Sequence, residues 1–366
     1  MRRILIYMVC LLVLFSNPFC SSPEPETQAW SLLKEMLLIP AVSGKEARMA
    51  DFVMSSIPKF LNPKRDEMDN IWFTVGEGEP HLLFVAHTDE IGLIVHEITS
   101  QGTLKVEGRG GFFPKMYEGH AVTVYTKGGP VDGVVMPRTD TILGKPDDSY
   151  FSTSDIEIYL GVDTSRGVKD LGIMVGDQIT IRKEITELSP ELLAARGVDD
   201  RAGCAVLLDA VTQINWDGIK GKTITFAWDV QEEIGLYGAS KLAQTLDVDY
   251  VFPVDTFVSS EAPFDTQRFA RLPLGKGAVI RAVDSSNVTP WIYVQKVKKI
   301  AESNDIPIQI GNTKGGNDGS VFVPVGAVDI PLSWPGVYSH SFIEKIHRKD
   351  LEALTQLVAA IVNNWE

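Results

Sequence analysis

Three apolar runs, each giving way abruptly to polar residues, constrain this chain more than any other feature. They are residues 81–86 (HLLFVA), 222–230 (KTITFAWDV) and 250–254 (YVFPV). A run that is apolar at nearly every position has to bury both of its faces. Strands of that kind belong in a parallel sheet covered by helices, not at a solvated surface. The covering elements are also legible. Residues 27–38, 45–60, 201–213 and 236–246 carry apolar side chains at helical spacing. Strand alternating with helix predicts an α/β fold whose sheet is mixed but mostly parallel, with helices on both faces.

The rhythm breaks between residues 93 and 182, which are rich in Gly and β-branched residues. Short alternating stretches such as HAVTVYT (120–126) and QITIRKEI (178–185) read as antiparallel strands. The composition predicts a small β-barrel inserted into the α/β domain, over residues 93–182. The catalytic domain would then be split into residues 23–92 and 183–366. A chain of 366 residues, 44% of them hydrophobic, has ample material for two cores.

Residues 1–22 are of another kind. Arg2 and Arg3 precede an apolar stretch from Ile4 to Phe15, followed by small and polar residues. That is the layout of an export signal, and the stretch is short for a membrane span. Cleavage after Ser22 and lipidation of Cys20 are both compatible with it, although Phe19 stands where lipoprotein sites carry a small residue. An uncleaved anchor is the third possibility. The expected location is therefore exported, periplasmic or held at the membrane through Cys20. The other cysteines are Cys10, within the same segment, and Cys204, so the mature domain has one thiol and no disulfide. A net charge of -14 argues against nucleic acid as a partner.

Chemistry-bearing residues follow the strands. His87-Thr88-Asp89-Glu90 ends the first run, where an α/β sheet presents ligands. His87 is placed to ligate a metal and Asp89 to orient its ring, although a His bonded for fold reasons reads the same way. Asp199 and Asp200 precede a helix, as caps do; one of them can equally bridge two cations. Glu232 and Glu233 follow the second run, where one acid can bind metal and its neighbour exchange protons with water. Asp255 follows the third, and His340 lies in a polar break near the C-terminus. Two His and several carboxylates without thiolate suit zinc, cobalt or manganese. Residues 315–320 (GGNDGS) lack the Lys of a phosphate loop; they offer backbone N–H groups to a substrate, or simply lead into a helix capped by Asp318. Gly108-Arg109-Gly110-Gly111 lacks the strand–helix setting of a dinucleotide loop.

In their order, HTDEIG, VDDRAG, QEEIG, FPVDTF, GGNDGS and SHSFIE resemble the tetrahedral (TET-type) aminopeptidases, the glutamyl aminopeptidase family of di-metal exopeptidases. LGKGAVI (274–280) and LGIMVGD (171–177) extend the resemblance, which runs from about residue 30 to the C-terminus. It implies two divalent ions, zinc by preference with Co2+ or Mn2+ as substitutes. His87, Asp199 and Asp255 would hold the first, and Asp199, Glu233 and His340 the second. Glu232 would be the general base and Asp89 the partner of His87, while Asp200 stays off the metal. The expected activity is removal of N-terminal residues from peptides by an activated water. The inserted barrel would mediate dimers, and assembly would reach up to a dodecamer. Three departures stand out: an export segment, Thr256-Phe257 after Asp255, and Phe342-Ile343 where Pro and Val are more typical. Phe342 and its neighbours are expected to reshape the substrate pocket. Rival readings are a deacylase or carboxypeptidase on the same metals, a glycosidase, and an exported binding lipoprotein without catalysis.

Overall fold

The computed structural model of the protein describes residues 26–138, 142–144, 152–259, 261 and 271–366. The expected export segment, Cys20 included, lies outside the described residues.

The three apolar runs are neighbouring strands in the middle of one sheet. Lys222–Asp229, His81–His87 and Tyr250–Val258 lie side by side in parallel, with Phe226 level with Phe84 and Phe84 level with Phe252. Leu332–Gly336 extends the parallel set beyond Tyr250–Val258. Both flanks then turn antiparallel. Ile71–Glu77 pairs with Lys222–Asp229 at one end, and Ala278–Val283 pairs with Leu332–Gly336 at the other. The sheet is thus mixed and mostly parallel.

Each central strand divides its side chains between two cores, as period-2 geometry demands. Leu82, Phe84, Ala86, Phe226, Trp228 and Phe252 point to the face covered by helices Gln28–Leu37, Val198–Gln213 and Arg348–Asn364. Phe84 stacks between Phe226 and Phe252, ring centroids 5.0 and 4.9 Å away. Leu83, Val85, Ala227 and Val251 point the other way, toward helix Tyr237–Ala243 and Phe322. Each such ring or branched chain, fully buried, stabilises the fold by about 1.5–3 kcal/mol, which is why these runs could not sit at a surface.

Strands Gly92–Ile98, Thr103–Arg109, Glu157–Tyr159, Gly129–Val135, Ala121–Thr126 and Gln178–Ile181 close into a barrel in that order. Gln178–Ile181 completes the ring by pairing with both Gly92–Ile98 and Ala121–Thr126. Leu93, Val95, Leu104, Val106, Val122, Val124 and Ile179 alternate inward and fill it. Closure leaves no open edge for another strand to pair with.

Barrel and sheet meet at Glu90. Its carboxylate lies 2.8 Å from Lys183, 3.2 Å from Arg201 and 3.5 Å from Arg196, all of them buried. The pocket opposes ionisation of Glu90, but three cations outweigh it and hold the carboxyl at about 2. Burial lowers the Lys183 ammonium to about 8.

One strand is longer than its apolar run. Tyr250–Val258 continues past the acid that was expected to end it, so Asp255 lies within the strand, level with Ser333. Arg281 accounts for this: its guanidinium reaches Asp255 at 3.3 Å and gives the buried charge a partner.

Candidate metal centre

The site forms at the carboxyl end of the central strands. His87 is the last residue of its strand and Asp229 stands level with it next door. Helix Val198–Gln213 begins irregularly there. Asp199 (φ -76, ψ 109) and Asp200 (φ -115, ψ 34) depart from helical geometry, so their side chains leave the helix axis in different directions.

Asp199 is the hub. One carboxylate oxygen lies 3.4 Å from His87 Nε2, and the other lies 3.8 Å from His340 Nε2. His87, Asp199 and Asp255 bring one ligand atom each within 4.8 Å of one another. On the far side of Asp199, His340 Nε2 is 3.5 Å from Glu233 Oε2. Among the described residues only His87, Asp199 and Asp255 form a group compact enough to hold an ion, while His340 adjoins both Asp199 and Glu233 beside it. Asp200 does not join them. Its carboxylate accepts the backbone N–H of His87 at 3.2 Å and of Gly203 at 3.0 Å, which fixes the strand end against the helix.

Asp89 faces His87 Nδ1 at 3.5 Å. It also accepts the backbone N–H of Glu232 at 3.0 Å and of Glu233 at 3.2 Å, while Ser43 donates its hydroxyl to the same carboxylate. One buried side chain thus orients the first histidine and aims both glutamates. Glu232 Oε2 points back toward His87 Nε2 at 3.9 Å.

The electrostatics are those of a site built for cations. Burial drives the Glu232 and Glu233 carboxyls well above their ordinary range, with neighbouring acids adding to it. Burial likewise raises Asp255 to about 6 although Arg281 pulls it down. Burial works against the charged form of His87, yet Asp199, Asp89 and Glu232 outweigh it and hold the imidazole well above its usual value. Four carboxylates crowded against two imidazoles and one guanidinium are a poor arrangement for the protein alone. Divalent cations relieve it, and the oxygen and nitrogen donors fit zinc, cobalt or manganese.

Several contributors carry no signature in the sequence. Arg281 bridges Asp255, Asp284 at 3.2 Å and the Gly316 carbonyl at 2.9 Å, and it lines the cavity. A lone Arg within the otherwise apolar strand Ala278–Val283 was the available hint. Glu344 accepts the backbone N–H of both Asp199 (3.2 Å) and His340 (2.8 Å). The Gly108–Gly111 stretch lies over the site: a Cβ on Gly110 would come within 3.1 Å of the Glu233 Cβ, and one on Gly111 within 3.6 Å of His340 Nδ1. In the GGNDGS stretch, Gly315 and Gly316 line the cavity. The cap of the short helix that follows is Asn317, which accepts from the Gly319 N–H at 2.8 Å; Asp318 is buried against Asp229 instead.

The metal-side residues form the end wall of a cavity of about 900 Å³. Phe113 and Met116 from the barrel side, with Val258, Tyr338 and Ile343, make its remaining walls largely apolar. Phe342 is not among them. It turns away from the cavity toward the barrel, 5.0 Å from the Tyr117 ring, and of that stretch it is the neighbours Ser341 and Ile343 that line the cavity.

Residues 69–357 match the M42 glutamyl aminopeptidase family. The chain is 26% identical to the lysyl aminopeptidase of Pyrococcus furiosus, over 91% of this chain and 96% of that protein. It is 27% identical to the glutamyl aminopeptidase of Lactococcus lactis, over 90% and 95% respectively. Among solved structures, the TET1 peptidase of Pyrococcus horikoshii, described as assembling into a tetrahedron or a large octahedral shell, superposes with a TM-score of 0.85. That likeness comes at 34% identity and covers 92% of this chain and 99% of that one. The chain belongs to the M42 glutamyl aminopeptidase family.

Proposed function

We propose that the protein is a two-metal aminopeptidase that removes residues from the N-terminus of peptides. The observation that carries this is Asp199, whose two oxygens face His87 on one side and His340 on the other. His87, Asp199 and Asp255 would hold one ion, and Asp199, Glu233 and His340 the second. When bound, such a pair supplies Lewis acidity, activating a water near neutral pH and stabilising negative charge on the scissile carbonyl oxygen.

The chain's own residues do the rest. Glu232 is aimed by Asp89 into the end of the cavity, and burial raises the proton affinity of its carboxylate. It is the group to take a proton from the attacking water and return it to the leaving amine. A free α-amino group would bind at the metal centre, which an acylated one would not. The apolar walls beyond accept the side chain of the N-terminal residue. The relatives named for lysyl and glutamyl substrates differ in this preference.

The reading extends to location and assembly. We propose an exported enzyme that forms homo-oligomers, dimers up to a dodecamer, with the barrel as the dimerising element. Support comes from the N-terminal sequence and from the shell-forming TET relative.

A panel of aminoacyl chromogenic substrates with N-acetylated controls, run with and without chelator, tests the activity. Unblocked substrates should be cleaved, chelation should stop cleavage, and Zn2+ or Co2+ should restore it. Turnover indifferent to chelation would overturn the metal reading, and turnover stopped by chelation but confined to blocked substrates would favour the deacylase or carboxypeptidase alternative. No turnover, with metal bound, would favour a binding protein.

A further inference from the structure

His340 has to place its ring between Asp199 and Glu233 from a loop whose backbone resists the conformation it adopts. His340 sits at φ 63 and Tyr338 at φ 65, both left-handed without being glycine. Such residues carry a steric cost and persist only where the surroundings over-determine them. Three attachments do so here. At the base, Val337 and Lys345 pair across the loop, with Lys345 donating its N–H to the Val337 carbonyl at 2.9 Å. Inside the loop, Glu344 accepts the His340 N–H at 2.8 Å. At the outer end, Phe342 leaves the catalytic domain altogether and seats its ring on the barrel.

That seat is specific. The Phe342 ring meets Tyr117 edge-on, with centroids 5.0 Å apart and planes at 87°. His120 lies 5.3 Å away on the exposed side, and the Arg196 guanidinium 5.6 Å away. Tyr117 belongs to the barrel's core, on which Phe342 packs. Arg196 is anchored in turn: it donates to the Ile91 carbonyl and lies 3.5 Å from Glu90 at the junction of the domains. A cation over an aromatic face and an edge-to-face pair each fix a ring's orientation as well as burying it.

We propose that Phe342 is a positioning residue for the second metal, holding the His340 loop against the barrel so that His340 stays opposed to Glu233. The barrel is then part of the metal site's framework, and its packing sets the affinity of one ion more than that of the other. This rests on the two-metal reading above. His87 and Asp255 are held by the sheet, and of the first ion's ligands only Asp199 touches the loop, through Ser339 and Glu344, so the first ion depends on the Phe342 seat less than the second does.

The test uses the full chain stripped of metal. Zn2+ titration by calorimetry is compared across wild type, Phe342→Ala and Phe342→Leu, with hydrogen exchange of the metal-free proteins as a second measurement. Removing an orienting contact outside the ligand set typically weakens metal binding by about 10–100-fold, so Phe342→Ala should lose at least about tenfold at one site and clearly less at the other. Phe342→Leu, which keeps most of the volume, should fall between. In the metal-free variant, amides of residues 338–344 should exchange faster, with the His81–His87 strand unaltered. Two sites of wild-type affinity in Phe342→Ala, equal weakening of both, or unchanged exchange in the loop would overturn the proposal. If Phe342→Ala does not fold, Phe342→Leu decides by the same criteria. Fewer than two equivalents bound by wild type would instead sink the two-metal reading, and the exchange measurement would still decide whether Phe342 holds the loop.

Discussion

Glu232 and Asp89 stand side by side in the site and do separable things, which makes them the sharpest pair to test. Glu232 is expected to move a proton without holding metal, so Glu232→Gln should lower kcat by about 10²–10⁴-fold and leave metal content intact. Elemental analysis beside turnover would show it; metal lost together with activity would mean that Glu232 and Glu233 have been assigned the wrong way round. Asp89 has four partners: the His87 ring, the Ser43 hydroxyl and the backbone N–H groups of both glutamates. An asparagine can accept at one oxygen only, and its amide faces an N–H where the second acceptor was. Asp89→Asn should therefore weaken metal affinity about 10–100-fold along with activity, as a Zn2+ titration would report. The residues that sequence reasoning missed are of this supporting kind. Arg281 and Glu344 have no motif spacing of their own, because what they contact is brought to them from distant parts of the chain.

Among elements, the turn after the Thr103–Arg109 barrel strand is the one whose role reversed. The Gly108–Gly111 sequence failed as a nucleotide loop, and no local property marked it as the covering of a metal site. One of its glycines is required by what lies beneath. Gly110 sits at φ +81, and a Cβ there would lie 2.5 Å from the Ile91 side chain and 3.1 Å from Glu233. Gly110→Ala should cost about 1–3 kcal/mol in stability and displace Glu233, so thermal denaturation and metal content should both suffer. Gly111→Ala meets His340 only at an ordinary 3.6 Å and should be tolerated in both measurements. Equal behaviour of the two variants would show that the covering is not in contact.

For the whole molecule, the joint between barrel and sheet is the exposed flank of stability. Glu90 is held at about 2, below its ordinary 4.5, by Lys183, Arg201 and Arg196. A depressed carboxyl contributes stability that is complete above its unfolded value and lost as pH falls through its folded one. The stability difference between wild type and Glu90→Gln should thus be full above pH 4.5 and shrink toward pH 2. At neutral pH the substitution takes from three buried cations the carboxylate they share, a loss of about 3–5 kcal/mol. Denaturant melts of both proteins across that pH range would check the sign; a difference that grew on acidification would refute it.

The sequence by itself determined the layers and the chemistry. Runs such as HLLFVA have no stable place outside a two-faced sheet, and alternating β-branched residues demand a separate small β unit, because both follow from burying side chains at a local period. The identity of the metal-side residues was legible for a related reason: each ends or interrupts an apolar run, and a charge there is costly without a purpose. Tertiary structure alone decided which oxygen faces which histidine, that Asp200 is spent on backbone N–H groups, that Phe342 turns to the barrel and not to the substrate, and that a discarded glycine turn covers the site. Those outcomes depend on distances between segments far apart in the chain, which no local pattern of residues encodes.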